Sequence, residues 1–146
     1  MNYRLDSAGP DELLAHLRAA DAGFAPPLSS RVELAGYAAK LAAHARRLEA
    51  WEDGALVGLV AMYANDPVRG GFITNVSVVP AHHGKGIAAE LMRRTLALAG
   101  ELGLARVRLE VNADNTAALV LYRNHGFQPE TATAAGPTLF LHRELS

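Results

Sequence analysis

Two short segments hold residues whose types and spacing could do chemistry. The first is His83-Gly84-Lys85-Gly86-Ile87-Ala88. Glycines one residue apart permit backbone angles that other residues avoid and let a ligand come close to the main chain. An amphipathic pattern follows at once, so the free N–H groups and the dipole of a helix start face the same spot. Such a place binds phosphate or pyrophosphate, and Lys85 adds a positive charge. A tight turn into a helix with no ligand is the plainer reading. The second segment runs from Leu109-Glu110-Val111 to Gly126-Phe127. It reads as a strand entering a helix, with Asp114 as N-cap and Gly126 as the stop. Asn115 and Tyr122 lie nearly two turns apart and so share one side. An amide and a phenol facing one cleft can hold a polar chain and donate a proton. Tyr122 as a simple core aromatic is the competing reading.

Other chemistries fit less well. No G-x-x-x-x-G-K-S/T loop is present. Gly84-x-Gly86-x-x-Ala89 does fit the dinucleotide fingerprint, with Glu110 about where a ribose-binding acid belongs. Against it, Pro80-Ala81-His82-His83 separates the glycines from the strand, and too little chain follows Glu110 for a second nucleotide-binding half. The six histidines show no H-x-x-x-H or H-E-x-x-H spacing, so no metal is expected. Ser29, Ser30 and Ser77 lack a G-x-S-x-G elbow. Arg46-Arg47 and Arg93-Arg94 read as solvated pairs on helix surfaces or ends.

The elements that must position these residues follow from periodicity. Tyr3–Leu5 reads as a short strand. Asp11-Glu12 open a helix with Leu13, Leu14, Leu17 and Ala20 on one face. Gly23–Ser30 is a loop, and a second helix is expected over about 30–46. Leu48–Glu52 alternates, Asp53-Gly54 signals a hairpin, Leu56–Tyr63 is a more buried strand, and Phe72–Val79 ends at Pro80. A long helix is predicted from Gly84 to Gly100, a strand over 106–111, a helix over 115–125, and two last strands around Gly136-Pro137. This order predicts a mixed α/β sheet domain.

Composition sets the class. The chain has 146 residues, half of them hydrophobic and 20% charged, which suits one packed domain over 1–146. Its net charge of −1 argues against nucleic acid or a membrane surface as partner. It has no cysteine, so thiolate metal sites, disulfides and cysteine nucleophiles are excluded. No apolar run reaches the roughly 20 residues of a membrane span. A cytoplasmic protein is the expectation.

Together the two segments resemble the GNAT superfamily, the Gcn5-related N-acetyltransferases. That pattern is a strand ending V-x-P, then Q/R-x-x-G-x-G/A, a long helix, and N-x-x-A-x-x-L/F-Y-x-x-x-G-F. The chain supplies Val78-Val79-Pro80, then His83-Gly84-Lys85-Gly86-Ile87-Ala88, then Asn115, Ala118, Leu121, Tyr122, Gly126 and Phe127. The close match covers Ile73 to Phe127. His83 departs from the usual glutamine or arginine.

The resemblance implies a mostly antiparallel central sheet of 6–7 strands, about four helices, and two central strands that splay apart. It implies acetyl-CoA as co-substrate, with its pyrophosphate on the turn formed by His83, Gly84, Lys85, Gly86, Ile87, Ala88 and Ala89. Its pantetheine arm would pair with Val76, Ser77 and Val78 as an added strand, and Asn115 and Ala118 would complete the cofactor site. The Val78 N–H would polarise the thioester carbonyl, and Tyr122 would protonate the departing thiolate. Many relatives carry a carboxylate where this chain reads Thr74-Asn75-Val76-Ser77, so Glu110 becomes the candidate base. The competing reading of Glu110 is an outward-facing acid paired with Arg108 or Arg123, and water chains to Glu52, Asp66 or a histidine stay open. Phe24 and Pro26-Pro27 would form a lid over the amine. The implied acceptor is a small-molecule amine or a peptide N-terminus, and the C-terminal strands offer an edge for a homodimer. A non-catalytic module that binds coenzyme A or a nucleotide is the alternative.

Overall fold

The computed structural model describes residues 1–24, 27–130 and 138–145. Among the described residues seven strands form one sheet, ordered β1 (Asn2–Leu5), β2 (Arg46–Glu52), β3 (Ala55–Asp66), β4 (Gly70–Val78), β5 (Arg106–Asn112), β7 (Thr138–Glu144), β6 (Gln128–Pro129). Every neighbouring pair is antiparallel except β4 and β5, which run parallel. The helices are α1 (Pro10–Ala20), α2 (Leu34–His44), α3 (Ile87–Glu101) and α4 (Thr116–Asn124). The mixed, mostly antiparallel architecture is the one the sequence implies. No helix among the described residues is long and apolar enough to cross a membrane.

The sheet is covered on both faces. Leu13 and Leu17 of α1 and Leu41 of α2 share one core with Trp51 and Leu59, while Leu91 and Met92 of α3 share the other with Val60, Met62 and Leu109. Two-sided cover explains why Leu56–Met62 is a continuous apolar run rather than an alternating one. It also overturns the amphipathic reading of Leu48–Glu52, since Arg47 through Trp51 are all buried. Gly58 lets α3 lie close: a Cβ there would meet Ile87 Cγ2 at 2.7 Å and Leu91 Cδ1 at 3.1 Å. The hairpin at Asp53-Gly54 forms, with φ of 50° and 78°, the left-handed pair that a type I′ turn needs.

Several boundaries shift for local reasons. The second helix begins at Leu34, because Leu28–Ser30 forms a separate 3-10 turn and the Glu33 carboxylate caps Ala35 and Gly36 N–H. It ends by Ala45, where the chain enters β2. The third helix begins at Ile87 rather than Gly84, since Gly84 and Gly86 turn at φ of 77° and 78°. Asn115, not Asp114, caps α4, with its side chain accepting from Ala118 N–H at 3.2 Å. In α1, Leu14 is only half-buried, and His16 joins Leu13, Leu17 and Ala20 on the inner face. The expected turn at Gly136-Pro137 lies outside the described residues.

Arg47 is not a solvated helix-end arginine: it sits in β2 and is 6% exposed. Its Nη1 donates to Leu41, Ala42 and Ala45 O and its Nη2 to Ala8 O. Beside it lies Glu49, fully buried, 3.4 Å from Arg47 Nε. Glu49 also accepts from Ser7 N–H, Ala8 N–H and Trp51 Nε1–H at 3.0–3.2 Å. These bonds tie the β1–α1 connection and the C-terminal end of α2 to β2. Removing one buried partner leaves the other charge uncompensated, at a cost of about 3–5 kcal/mol. Glu49→Ala is therefore expected to lower unfolding free energy by about 3–5 kcal/mol in urea titration. A loss under about 1 kcal/mol would show the pair to be dispensable.

Candidate active site

The site originates in a break in the sheet. In the β3–β4 ladder, Ala61 faces Asn75 but Met62 faces Ile73, so Thr74 has no partner and forms a bulge. Across the other edge, β4 meets β5 only at Gly71, Phe72 and Ile73, opposite Val107, Arg108 and Leu109. Beyond that point the strands part. Thr74–Val78 and Glu110–Asn112 become walls of a cleft of about 1020 Å³.

The direction of the free backbone groups follows from the ladder. Val79 N–H donates to Val57 O at 2.9 Å. Alternation along a strand then turns the N–H and C=O of Val78 away from β3, toward the cleft. The Val78 carbonyl accepts from His83 Nε2 at 2.7 Å, which places His83 across the mouth. Its Nε2 therefore carries the hydrogen, because a carbonyl only accepts.

The cleft gathers most of the residues singled out in sequence. Val76, Ser77, Val78, His83, Gly84, Gly86, Ile87, Ala88, Ala89 and Asn115 line it, as do Glu110 and Tyr122. Lys85 and Ala118 lie off its wall, and Ala117 is the alanine of α4 that reaches it. A Cβ added at Gly84 or Gly86 would meet no other atom within 4 Å, so the turn is open to a ligand. Ser77 is unlike its neighbours: its hydroxyl points to the α1 side of the sheet, where it meets His16.

Tyr122 is 7% exposed and packs against Phe127, with ring centroids 5.9 Å apart. Burial pushes its phenol pKa up to about 12. The hydroxyl thus stays protonated at any working pH, on a residue that belongs to the core and borders the cleft. Glu110 is exposed and has no ion pair among the described residues. The expected pairing with Arg108 is not made: Arg108 Nε lies 2.7 Å from Glu130. Glu52 is paired with the N-terminus and Asp66 lies at the far end of β3, and neither borders the cleft.

The opposite side of the cleft belongs to α1, α2 and their connection. Phe24, Leu28, Arg31, Val32 and Tyr37 line it. Pro26, half of the expected lid, lies outside the described residues. The Tyr37 hydroxyl bonds Thr74 O at 3.1 Å and Thr74 Oγ1 at 2.8 Å, directly at the bulge. Sequence reasoning did not single out His16, Asn75 or this role of Tyr37. The available signal was a histidine set among Leu13, Leu17 and Ala20. No group of three or more His, Asp or Glu among the described residues is placed to hold a metal ion.

Similarity to known proteins agrees with this geometry. The profile of the acetyltransferase (GNAT) family matches residues 12–127. The N-alpha-acetyltransferase RimI of Mycobacterium tuberculosis is 35% identical over 127 residues, 86% of this chain and 74% of that protein. The chloroplastic GCN5-related N-acetyltransferase 7 of Arabidopsis thaliana is 35% identical over 72 residues, 49% of this chain but 26% of that protein. The chain spans about half or less of the length of several such relatives. A PaiA N-acetyltransferase of Thermoplasma acidophilum, solved in complex with coenzyme A, superposes with a TM-score of 0.77 at 13% identity, covering 99% of this chain and 100% of that one. A sheet opened between β4 and β5, a two-glycine turn leading into α3 and a family profile matching residues 12–127 lead to one conclusion: the chain belongs to the acetyltransferase (GNAT) family.

Proposed function

We propose that the chain transfers the acetyl group of acetyl-CoA directly to a primary amine, on a small molecule or a peptide N-terminus, within a ternary complex. The observation that carries this reading is the unpaired edge of β4, with Val78 N–H facing a cleft that Tyr122 and the 84–86 turn also border. A pantetheine arm is an extended chain of amides, so it can pair with Val76 and Val78 as a missing strand would. The diphosphate fits the open turn at Gly84 and Gly86, before the N–H groups of Ala88 and Ala89 at the start of α3. His83 already donates to Val78 O, so it frames the mouth.

Each remaining group has a task in direct transfer. The Val78 N–H faces the place where negative charge develops on the thioester oxygen, and a fixed donor is most effective there. Glu110 is a carboxylate on the wall with no ion pair among the described residues, suited to take the proton that an ammonium must lose before it attacks. Tyr122 donates to the departing thiolate. With its pKa raised to about 12, the phenol favours a strong hydrogen bond over complete proton transfer, so the thiolate leaves stabilised rather than fully protonated by Tyr122. The chain has no cysteine to carry the acetyl group as a thioester of its own. The name of the Mycobacterium tuberculosis relative, an N-alpha-acetyltransferase, supports a peptide N-terminus among the acceptors.

A thiol-release assay with acetyl-CoA, spermidine, an alanine-terminated hexapeptide and simple amino acids tests this reading. Turnover of at least one amine is expected. Tight coenzyme A binding without turnover of any would identify a binding module instead. Tyr122→Phe should lower kcat about 100-fold with acetyl-CoA affinity kept. Because Tyr122 stays protonated to about 12, the wild-type rate should show no alkaline limb from this group below that pH. Gly86→Val should weaken coenzyme A binding at least about tenfold by calorimetry, since any side chain there enters the open turn and strains a left-handed backbone.

A further inference from the structure

The cleft carries little charge, and what it has stands on opposite walls. Of the Asp, Glu, Lys and Arg side chains among the described residues, Arg31 and Glu110 border it. No ion pair joins them to each other or to another described residue. Glu110 stands on β5, past the point where β4 and β5 part. Arg31 stands between the Leu28–Ser30 turn and α2, on the wall that Phe24, Leu28, Val32 and Tyr37 also form. The transfer chemistry above gives Glu110 a task and leaves Arg31 without one.

Two carboxylates lie close to Arg31 in the chain, and both are committed elsewhere. Asp21 accepts from Ser29 N–H at 2.8 Å and from the Ser29 hydroxyl at 2.7 Å. Glu33 accepts from Ala35 and Gly36 N–H at the start of α2. Neither acid borders the cleft. The same bonds fix the backbone on either side of Arg31. The Ser30 hydroxyl adds a bond to Pro27 O at 2.6 Å, and Arg31 N–H adds one to Leu28 O at 2.9 Å. The guanidinium lies near the Tyr37 phenol: burial pushes the pKa of that phenol up, and the charge of Arg31 pulls against it. The Tyr37 hydroxyl is bonded to Thr74 at the bulge of β4. The positive charge is therefore held beside the place where the sheet opens.

A ligand that fills the cleft strips water from Arg31, and a charge that loses water without gaining a partner is costly. The side chains of Phe24, Leu28 and Val32 beside it are apolar and offer no acceptor. The diphosphate of acetyl-CoA has its own seat at the Gly84–Gly86 turn, which leads into α3. That helix packs in one core, and α1 and α2 pack in the other. We infer that the acceptor carries a carboxylate besides its amine, and that Arg31 is the specificity-determining residue that receives it. The inference rests on the reading of the cleft as an acetyl-transfer site. A planar guanidinium meets a carboxylate with two parallel N–H···O bonds. Glu110, on the opposite wall, favours the cationic end of the same molecule. An amino acid meets both charges, as does a peptide with an acidic residue after its N-terminus. A polyamine sets a second cation against Arg31.

Two acceptor pairs that differ in one charge test this: glycine against glycinamide, and hexapeptides opening Ala-Asp against Ala-Asn, with spermidine beside them. Thiol release gives kcat/KM for each in the wild type and in Arg31→Gln. Arg31 is exposed, so its replacement leaves the core intact. Comparing the acid-over-amide ratio between the two proteins cancels the difference in amine basicity. That ratio should fall about tenfold in Arg31→Gln for at least one pair, with the acetyl-CoA KM kept. The pair that responds tells an amino acid from an acidic peptide. Arg31→Glu should reverse the order of acceptors, toward spermidine. A ratio unmoved in both pairs overturns the inference. So does a rise in the acetyl-CoA KM alone, which would assign Arg31 to the donor, and so does a wild type that turns over spermidine but no acceptor with a carboxylate. These three results leave the transfer reading standing. A wild type that acetylates no amine overturns both, and is told apart by the absence of turnover.

Discussion

Two strands that stop pairing set up everything else in this molecule. β4 and β5 meet at three residue pairs and then part, with Thr74 bulged on the other edge of β4. A strand edge left open in a sheet interior exposes a row of N–H and C=O groups that must find partners. Here the edge is kept open from both sides. Gly58 lets α3 seat tightly on β3, holding the 84–86 turn at the mouth, while Tyr37 pins the bulge through Thr74. The edge therefore stays open, a row of main-chain groups along the cleft wall.

The two faces of the sheet divide the labour. On the α3 side the cleft is bounded by main-chain groups and small residues, which suits a ligand recognised through amides and phosphates. On the α1–α2 side the wall carries side chains with definite polarity. His16, Ser77 and Asn75 are all under a tenth exposed and bonded in series. Burial raises the cost of any reversed bond in that series. A different buried pair, Arg47 and Glu49, holds the connection leading into α1 and the end of α2 to β2. The α1–α2 half of the cleft thus rests on polar groups in the interior, and its geometry is only as firm as their pairing.

Tyr122 shows how one residue can belong to core and site at once. Its ring packs on Phe127 in the α3-side core, and the residue borders the cleft. Residue type and spacing left core aromatic and cleft phenol as rival readings, and the folded chain makes them compatible. The same burial that stabilises the ring holds the phenol in its protonated form.

The element order, the turn at Gly84–Gly86, the hairpin at Asp53-Gly54 and the helix carrying Asn115 and Tyr122 were all legible in the order of residues. Each of these is local: a left-handed turn wants glycine or aspartate, and a helix face repeats every 3.6 residues. It took the folded chain to show that Arg47 is buried, that Glu110 lacks its expected arginine, and that His16 reaches Ser77 across 61 positions of chain. None of these has a sequence signature. Burial of a strand depends on what covers its second face, and a polar side chain's partner depends on which distant strand brings an acceptor within about 3 Å. Periodicity shows which residues turn inward, but only the assembled sheet shows what they meet there.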